Sequence, residues 1–270
     1  MHHRLAFLAL AACLSLPSVV GAELVPVLVL KEHGVGMAAL AQPFVDRMIG
    51  LTAKQNGWTD AKGMYFTTRA AAEAFIDTEK PHYGILSLGA FLGLRKKYGL
   101  EPFGIVTAVR AGGRRYSIIS KTATDLAECK GKSLASDHID DAPFIEKIVS
   151  GGDFKRADFK TVQTQRPLQG IKKVVAGDAD CALIDDAQME ELDHLEEGKG
   201  IKTVWRSREL PSMLVVAFPA AGKDERETFE NNLEKVCEGE AKSACAEVGI
   251  LSLRAAKDGD YEELIAEYEK

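Results

Sequence analysis

The sequence predicts an α/β protein of two lobes with a hinge and an interdomain cleft, and three observations carry that prediction. In 169–186 a short helix stops at Gly177, a two-acid turn follows, and a buried strand from Cys181 to Ile184 ends in the carboxylates Asp185 and Asp186. The same grammar of helix, charged turn, strand and small residues recurs in 69–91. Between and after these units, paired strands with little chain between them mark two places where the chain crosses from one lobe to the other.

Taken in order, apolar alternation and turn signals give strand 25–30, helix 38–49, strand 64–67, helix 69–77, strand 83–87 and helix 90–98. Alternation of this kind implies a largely parallel sheet covered by helices. Strands 103–109 and 116–120 flank the Gly- and Arg-rich segment 110–115, the first crossing. A second set follows: strand 133–136, helix 142–150, a strand near 160–163, helix 168–176, strand 181–184 and an acidic helix beginning near Ala187. Strands 201–205 and 213–218 carry the chain back, and helices 224–237, 241–248 and 261–268 complete the first lobe. The division expected is therefore a leader at 1–22, one lobe from 23–109 with 206–270, and the other from 110–205.

The leader rests on Arg4, the apolar run from Leu5 to Leu16, Pro17, and the small-residue end Val20-Gly-Ala22, a pattern that export machinery cleaves and that is too short to anchor in a membrane. Leu10-Ala-Ala-Cys13 also has the look of a lipobox, so lipidation at Cys13 stays open. A periplasmic protein is expected either way. The 270 residues are 46% apolar with only 9 prolines, which suits a well-packed globular chain. A formal charge of -6 argues against nucleic acid as a partner, and basic runs such as Arg95-Lys-Lys97 and Arg114-Arg115 read as solvated surface.

Of the 5 cysteines, Cys13 lies in the leader. Cys237 and Cys245 flank a helix-turn-helix corner where a local disulfide is sterically easy. Cys129 can pair with Cys181 only if their backbones meet. No cysteine or histidine spacing resembles a zinc or haem site, and the expected metal and cofactor complement is none.

Four segments carry a resemblance to a known family: Tyr83-Gly-Ile-Leu-Ser-Leu-Gly-Ala-Phe91, Thr124-Asp-Leu-Ala-Glu-Cys-Lys-Gly-Lys-Ser-Leu-Ala135, Val174-Val-Ala-Gly-Asp-Ala-Asp-Cys-Ala-Leu-Ile-Asp185 and Ser207-Arg-Glu-Leu-Pro211. The chain resembles the periplasmic solute-binding proteins of ABC importers with the type 2 fold, nearest the phosphate/phosphite/phosphonate-binding group. That resemblance implies a monomeric clamp that takes a small-molecule ligand between its lobes and hands it to a membrane permease. By similarity, Ser87 and Phe91 match a strand tip that touches ligand and Asp185 matches an acidic contact position. Asp185 and Ser87 would equally serve as helix caps.

Ligands of open α/β sheets gather beyond the carboxyl ends of the strands. The candidate ligand-binding residues are therefore His33, Gly34, Val35, Thr67, Ser87, Leu88 and Phe91 in the first lobe, and Ser136, His138, Ile139, Phe144 and Asp185 in the second. His33 and His138 are placed to face each other across the cleft. Related phosphonate binders carry a hydroxyl-rich turn after the second-lobe strand, whereas this chain has Ser136-Asp-His-Ile-Asp-Asp-Ala-Pro-Phe144 with three carboxylates. Fixed negative charge in a partly desolvated cleft disfavours a simple dianion. Neutral, cationic or apolar solutes then compete, the last including a lipid such as a sterol lying against Ile139, Phe144, Leu88 and Phe91. Gly34-Val-Gly-Met-Ala-Ala39 also fits a loose dinucleotide fingerprint with Arg69 beyond the next strand. The histidines form no hydrolytic constellation with a nucleophile elbow, and no enzymatic activity is expected.

Overall fold

The computed structural model describes residues 24–33, 38–108, 112–211 and 213–270. The leader, the candidate lipid site at Cys13, and Gly34 and Val35 with most of the dinucleotide-like loop lie outside them. Among the described residues no helix is long and apolar enough to cross a membrane.

Two sheets organise the chain. The first contains β1 (Leu24–Leu30), β2 (Asp60–Phe66), β3 (Tyr83–Ser87), β4 (Glu101–Ala108), β10 (Met213–Ala217) and β11 (Ile250–Ala255), in the order β11-β4-β10-β3-β1-β2. The second contains β5 (Tyr116–Ser120), β6 (Ser133–Ser136), β7 (Lys160–Gln163), β8 (Cys181–Asp185) and β9 (Lys202–Arg206), in the order β7-β6-β8-β5-β9. Helices α1 (Ala38–Asn56), α2 (Arg69–Glu79) and α3 (Leu88–Tyr98) connect strands of the first sheet. Around the second run α4 (Leu126–Cys129), a π-helical turn at Phe144–Val149, α5 (Gln169–Ala176) and α6 (Asp186–Asp193). The chain closes with α7 (Lys223–Asn232), α8 (Ala241–Glu247) and α9 (Glu262–Glu269).

The central strands read as they fold. β1 and β8 are continuous apolar runs because helices cover both faces of the sheet, and every residue of β8 is buried. α5 stops at Gly177, whose φ of 83° is the left-handed turn that the sequence placed there. One expectation is corrected: the sheets are mixed, not largely parallel. β1 pairs in parallel with β2 and β3, and β6 with β7 and β8, but β10 runs antiparallel to both β3 and β4, as β5 does to β8 and β9. The physical reason is the double crossing, since a strand that returns from the other lobe enters its sheet from the opposite end. β11, which the sequence reading missed, extends the same sheet by pairing antiparallel to β4.

Both exported-type cysteine pairs are bonded: Cys237 to Cys245 as expected, and Cys129 to Cys181, with Cα atoms 6.2 Å apart, because α4 packs at the start of β8. One apolar core runs through both lobes, from Leu28, Leu86 and Phe91 to Ile118, Phe144 and Leu183. The lobes touch tightly where α3 begins, for a Cβ on Gly89 would lie 3.3 Å from the ring of Phe144. α9 adds a strap, with the Lys147 ammonium donating to the carbonyl of Tyr268 at 2.8 Å.

Candidate functional site

The strand ends of both sheets converge on the cleft. Beyond β1 come Lys31, Glu32 and His33, with the Lys31 N–H still bonded to the Phe66 carbonyl at 3.1 Å, so the ladder holds this tip in place. His33 has a φ of 58°, a left-handed conformation that non-glycine residues adopt at some cost and that is common at functional sites. β3 ends at Ser87, directly before α3. From the second lobe, β6 delivers 137–141 and β8 delivers Asp185. Gly112, with a φ of 71°, passes so close to Asp185 that a Cβ there would meet its Oδ2 at 2.6 Å, and only glycine fits. Lys31, Glu32, His33, Ser87, Gly112, His138, Asp141 and Asp185 line an inner cavity together with Gly113, Tyr116 and Met213.

Glu32, His33, Arg69 and Asp141 separate that inner cavity from an outer groove of about 720 Å³, whose wall continues through Thr67, Asp137, Asp140 and 163–167. Arg69 is the centre of this partition. Its Nε and one Nη donate to the two oxygens of Glu32 at 2.7 and 2.8 Å, and the same Nη donates to Asp141 of the other lobe at 2.9 Å. Burial opposes the charge on Arg69, but Glu32 and Asp141 outweigh it and raise its pKa. Arg69→Ala should leave two carboxylates facing each other between the lobes without their cation. The expected result is a more open ligand-free protein, seen as a larger radius in small-angle scattering, and a stability loss on the order of 2 kcal/mol in denaturant titration. An unchanged radius would show that the partition does not hold the lobes together.

Next to the partition, His33 and His138 bring their rings to 4.3 Å, as the sequence placed them. Asp137 lies between them, 3.5 Å from His33 Nδ1 and 3.7 Å from His138 Nε2. Burial, followed by the charge of His33, pushes His138 down to about 3, so this imidazole is neutral at pH 7. For His33 burial acts in the same direction, but Asp137, Glu32 and Asp140 overcome it and raise its pKa. Asp185 goes the other way from an ordinary carboxylate. Burial, reinforced by Asp186 and Asp137 against the opposing Gln188 N–H and Lys31, drives it up to about 7.

The twelve candidate residues divide by position. His33, Ser87, Leu88, His138, Phe144 and Asp185 line the inner cavity, and Thr67 lines the outer groove. Phe91 and Ile139 stand behind the wall in the apolar core, at 0% and 2% exposure, Phe91 with its edge to Tyr261. Ser136 is a positioning residue: its hydroxyl donates to the Leu183 carbonyl at 2.6 Å and accepts the His138 N–H at 3.1 Å. Asp185 does cap α6, accepting the Gln188 N–H at 2.9 Å, while still facing the cavity. Gly112, Gly113, Tyr116 and Met213 were not legible as site residues; Lys31, Glu32 and Asp141 belong to strand tips that the sequence locates without being among the twelve candidates, and Arg69 stands out there only beside the dinucleotide-like loop. All but Lys31 and Glu32 meet only through the crossing of the lobes.

Two lobes closing on a polar cavity define a clamp-type solute-binding protein of the type 2 periplasmic fold. The chain belongs to the family described as ABC transporter, phosphonate, periplasmic substrate-binding protein, which matches residues 37–261. The family is periplasmic and is a substrate-binding component of a transporter. Among solved structures, a binding-protein component of an ABC phosphonate transporter from Pseudomonas aeruginosa is similar with a TM-score of 0.67, 14% identity and coverage of 91% of this chain and 85% of that one. PhnD1 from Prochlorococcus marinus, solved with methylphosphonate, gives 0.60, 12% identity and coverage of 89% and 95%. The aliphatic sulphonate binding protein SsuA from Escherichia coli gives 0.64, 9% identity and coverage of 91% and 85%. At these identities the similarity speaks for the fold. Comparison with curated proteins gives no match.

Proposed function

We propose that this chain captures a small polar solute of the phosphonate type between lobe 23–109 with 206–270 and lobe 110–205, and presents it as a monomer to the permease of an ABC importer. The leader at 1–22 sends it to the periplasm. The observation that carries the ligand class is Ser87: its Oγ is buried, has no hydrogen-bond partner, and stands at the cavity wall where α3 begins. A helix N-terminus presents N–H groups and a positive dipole end, so a hydroxyl waiting there suits one oxyanionic head. Lys31 lines the same wall.

The opposite wall decides what else the solute carries. Asp141 and Asp185 line the cavity from the second lobe, with Asp137 on the adjoining outer groove, and they repel a simple dianion but attract an amino group. The solute that fits both walls is zwitterionic, an aminoalkylphosphonate. An apolar ligand has no support from this geometry, because Phe91 and Ile139 are core residues and charged groups dominate the partition. No catalytic role is proposed.

Isothermal calorimetry tests the reading. An aminoalkylphosphonate should bind with micromolar or tighter affinity, about -8 kcal/mol, and methylphosphonate at least roughly tenfold more weakly. Ser87→Asp should abolish both by placing a charge against the anionic head. The reading fails if neither compound binds the folded protein, or if Ser87→Asp leaves binding intact.

A further inference from the structure

The cluster of His33, Asp137 and His138 has a geometry that neither hydrogen bonding nor the phosphonate reading explains. Three potential ligand atoms, one from each residue, lie within 4.8 Å of one another. The nitrogen to oxygen distances, 3.5 Å for His33 Nδ1 and 3.7 Å for His138 Nε2 to the Asp137 carboxylate, are too long for hydrogen bonds. Two donors bound about 2.0–2.1 Å from a tetrahedral ion stand roughly 3.3 Å apart. The two contacts to the Asp137 carboxylate, one to each of its oxygens, are already near that separation, and the three ligand atoms, all within 4.8 Å of one another, have to draw in around an ion to share it.

A second observation points the same way. His138 is 4% exposed and lines the inner cavity, and its Nε2 is a buried polar atom with no hydrogen-bond partner. Leaving such an atom unmatched is costly, and a metal ion would satisfy it. The surroundings are those of a supported ligand set. The Gln188 amide donates to both oxygens of Asp137, at 3.0 and 3.3 Å, and fixes that carboxylate. Ser136 holds the His138 backbone, and Asp140 stands 3.9 Å from His33 Nε2, on the far side of that imidazole. Histidine ligands are commonly oriented by a carboxylate in that position.

We propose that His33, Asp137 and His138 bind a divalent first-row transition-metal ion, with zinc as the reference ion, and that this ion ties the two lobes together at the mouth of the cleft. Two imidazoles and one carboxylate suit zinc, nickel, cobalt or copper and are poor partners for magnesium or calcium. His33 comes from the tip of β1 and the other two from the tip of β6, so coordination joins the lobes. His33 and Asp137 line the outer groove and His138 the inner cavity, so the cluster sits at the boundary between the two. His33 lies about a hundred positions from the adjacent Asp137 and His138, which is why no metal spacing is visible in the sequence.

The test is titration of chelator-stripped protein with zinc and cobalt, followed by calorimetry and cobalt absorption, with no phosphonate present. One ion per chain should bind at micromolar affinity or tighter, cobalt should show the intense visible bands of tetrahedral nitrogen and oxygen ligation, and magnesium should be displaced readily. His33→Ala and His138→Gln should each weaken binding by roughly 100-fold, and His194→Ala, an exposed position outside the cluster, should not. Zinc should also reduce the scattering radius of the wild type and His194→Ala but not of His33→Ala or His138→Gln. No wild-type binding below roughly 100 μM, cobalt spectra of a fully hydrated ion, or wild-type affinity retained in both histidine variants would overturn the proposal. With the phosphonate calorimetry run in the presence of chelator and the metal titration run without phosphonate, failure at one site does not imply failure at the other.

Discussion

Asp185→Asn should make the protein more stable than wild type at pH 8 and leave it nearly unchanged at pH 4. Burial and the neighbouring carboxylates raise Asp185 from 3.8 to about 7 in the folded chain. With a raised folded-state value, the stabilising contribution of the neutral carboxyl is complete below about pH 4 and is lost as pH climbs through about 7. Above that, the folded protein must hold an ionised carboxylate in a buried wall. Asparagine removes this requirement and can still accept the Gln188 N–H as the cap of α6. A displacement of about 3 units corresponds to about 4 kcal/mol, reduced somewhat by the lost attraction between a carboxylate and the helix N-terminus. Denaturant midpoints at pH 4, 6 and 8 check this. The same substitution should weaken an aminoalkylphosphonate, because the amino group loses a charged partner. Parallel pH profiles for both proteins would show that folding does not raise the Asp185 carboxyl above its ordinary range.

Removing the bond between Cys129 and Cys181 should cost about 4 kcal/mol, and removing that between Cys237 and Cys245 between about 2 and 3 kcal/mol, in paired Cys→Ala variants. The difference follows from the loops closed, of 52 and 8 residues in separation, since a longer loop forfeits more freedom in the unfolded chain. Melting of the two variants measures it. The larger effect also has a local consequence, because Cys181 begins β8 and Asp185 ends it. Loss of the first bond should therefore weaken ligand more than loss of the second. The reverse order in stability would mean that the unfolded chain keeps Cys129 and Cys181 close without the bond.

The sequence by itself determined what is local. Apolar runs, the left-handed turn at Gly177 and the small residues after β3 identified the helix and strand units and located Ser87 and Asp185 at strand ends, because each of those signals acts within a few residues of backbone. The bond from Cys237 to Cys245 was legible for the same reason. β11 was not, since its pattern of burial, with exposed Leu251, Ser252 and Arg254, gives only a weak apolar run and its pairing with β4 supplies what the pattern lacks. The mixed sense of the sheets was also decided elsewhere, by strands returning from the opposite lobe.

Tertiary structure alone decided the chemistry of the cleft. Arg69 could be seen in the sequence as a helix-starting arginine beyond a dinucleotide-like loop, yet its fork is filled by Glu32, 37 residues away, and by Asp141, 72 residues away, in the other lobe. Asp137, Asp140 and Asp141 were visible as three acids in a place where hydroxyls were expected. Which of them faces a histidine, an arginine or solvent depends on lobe closure. His33 and His138 could be paired in prospect because both follow strand ends that point into one cleft. The carboxylate between them, and the unsatisfied nitrogen beside it, arise from the angle at which two sheets meet, and no spacing along a single chain records that angle.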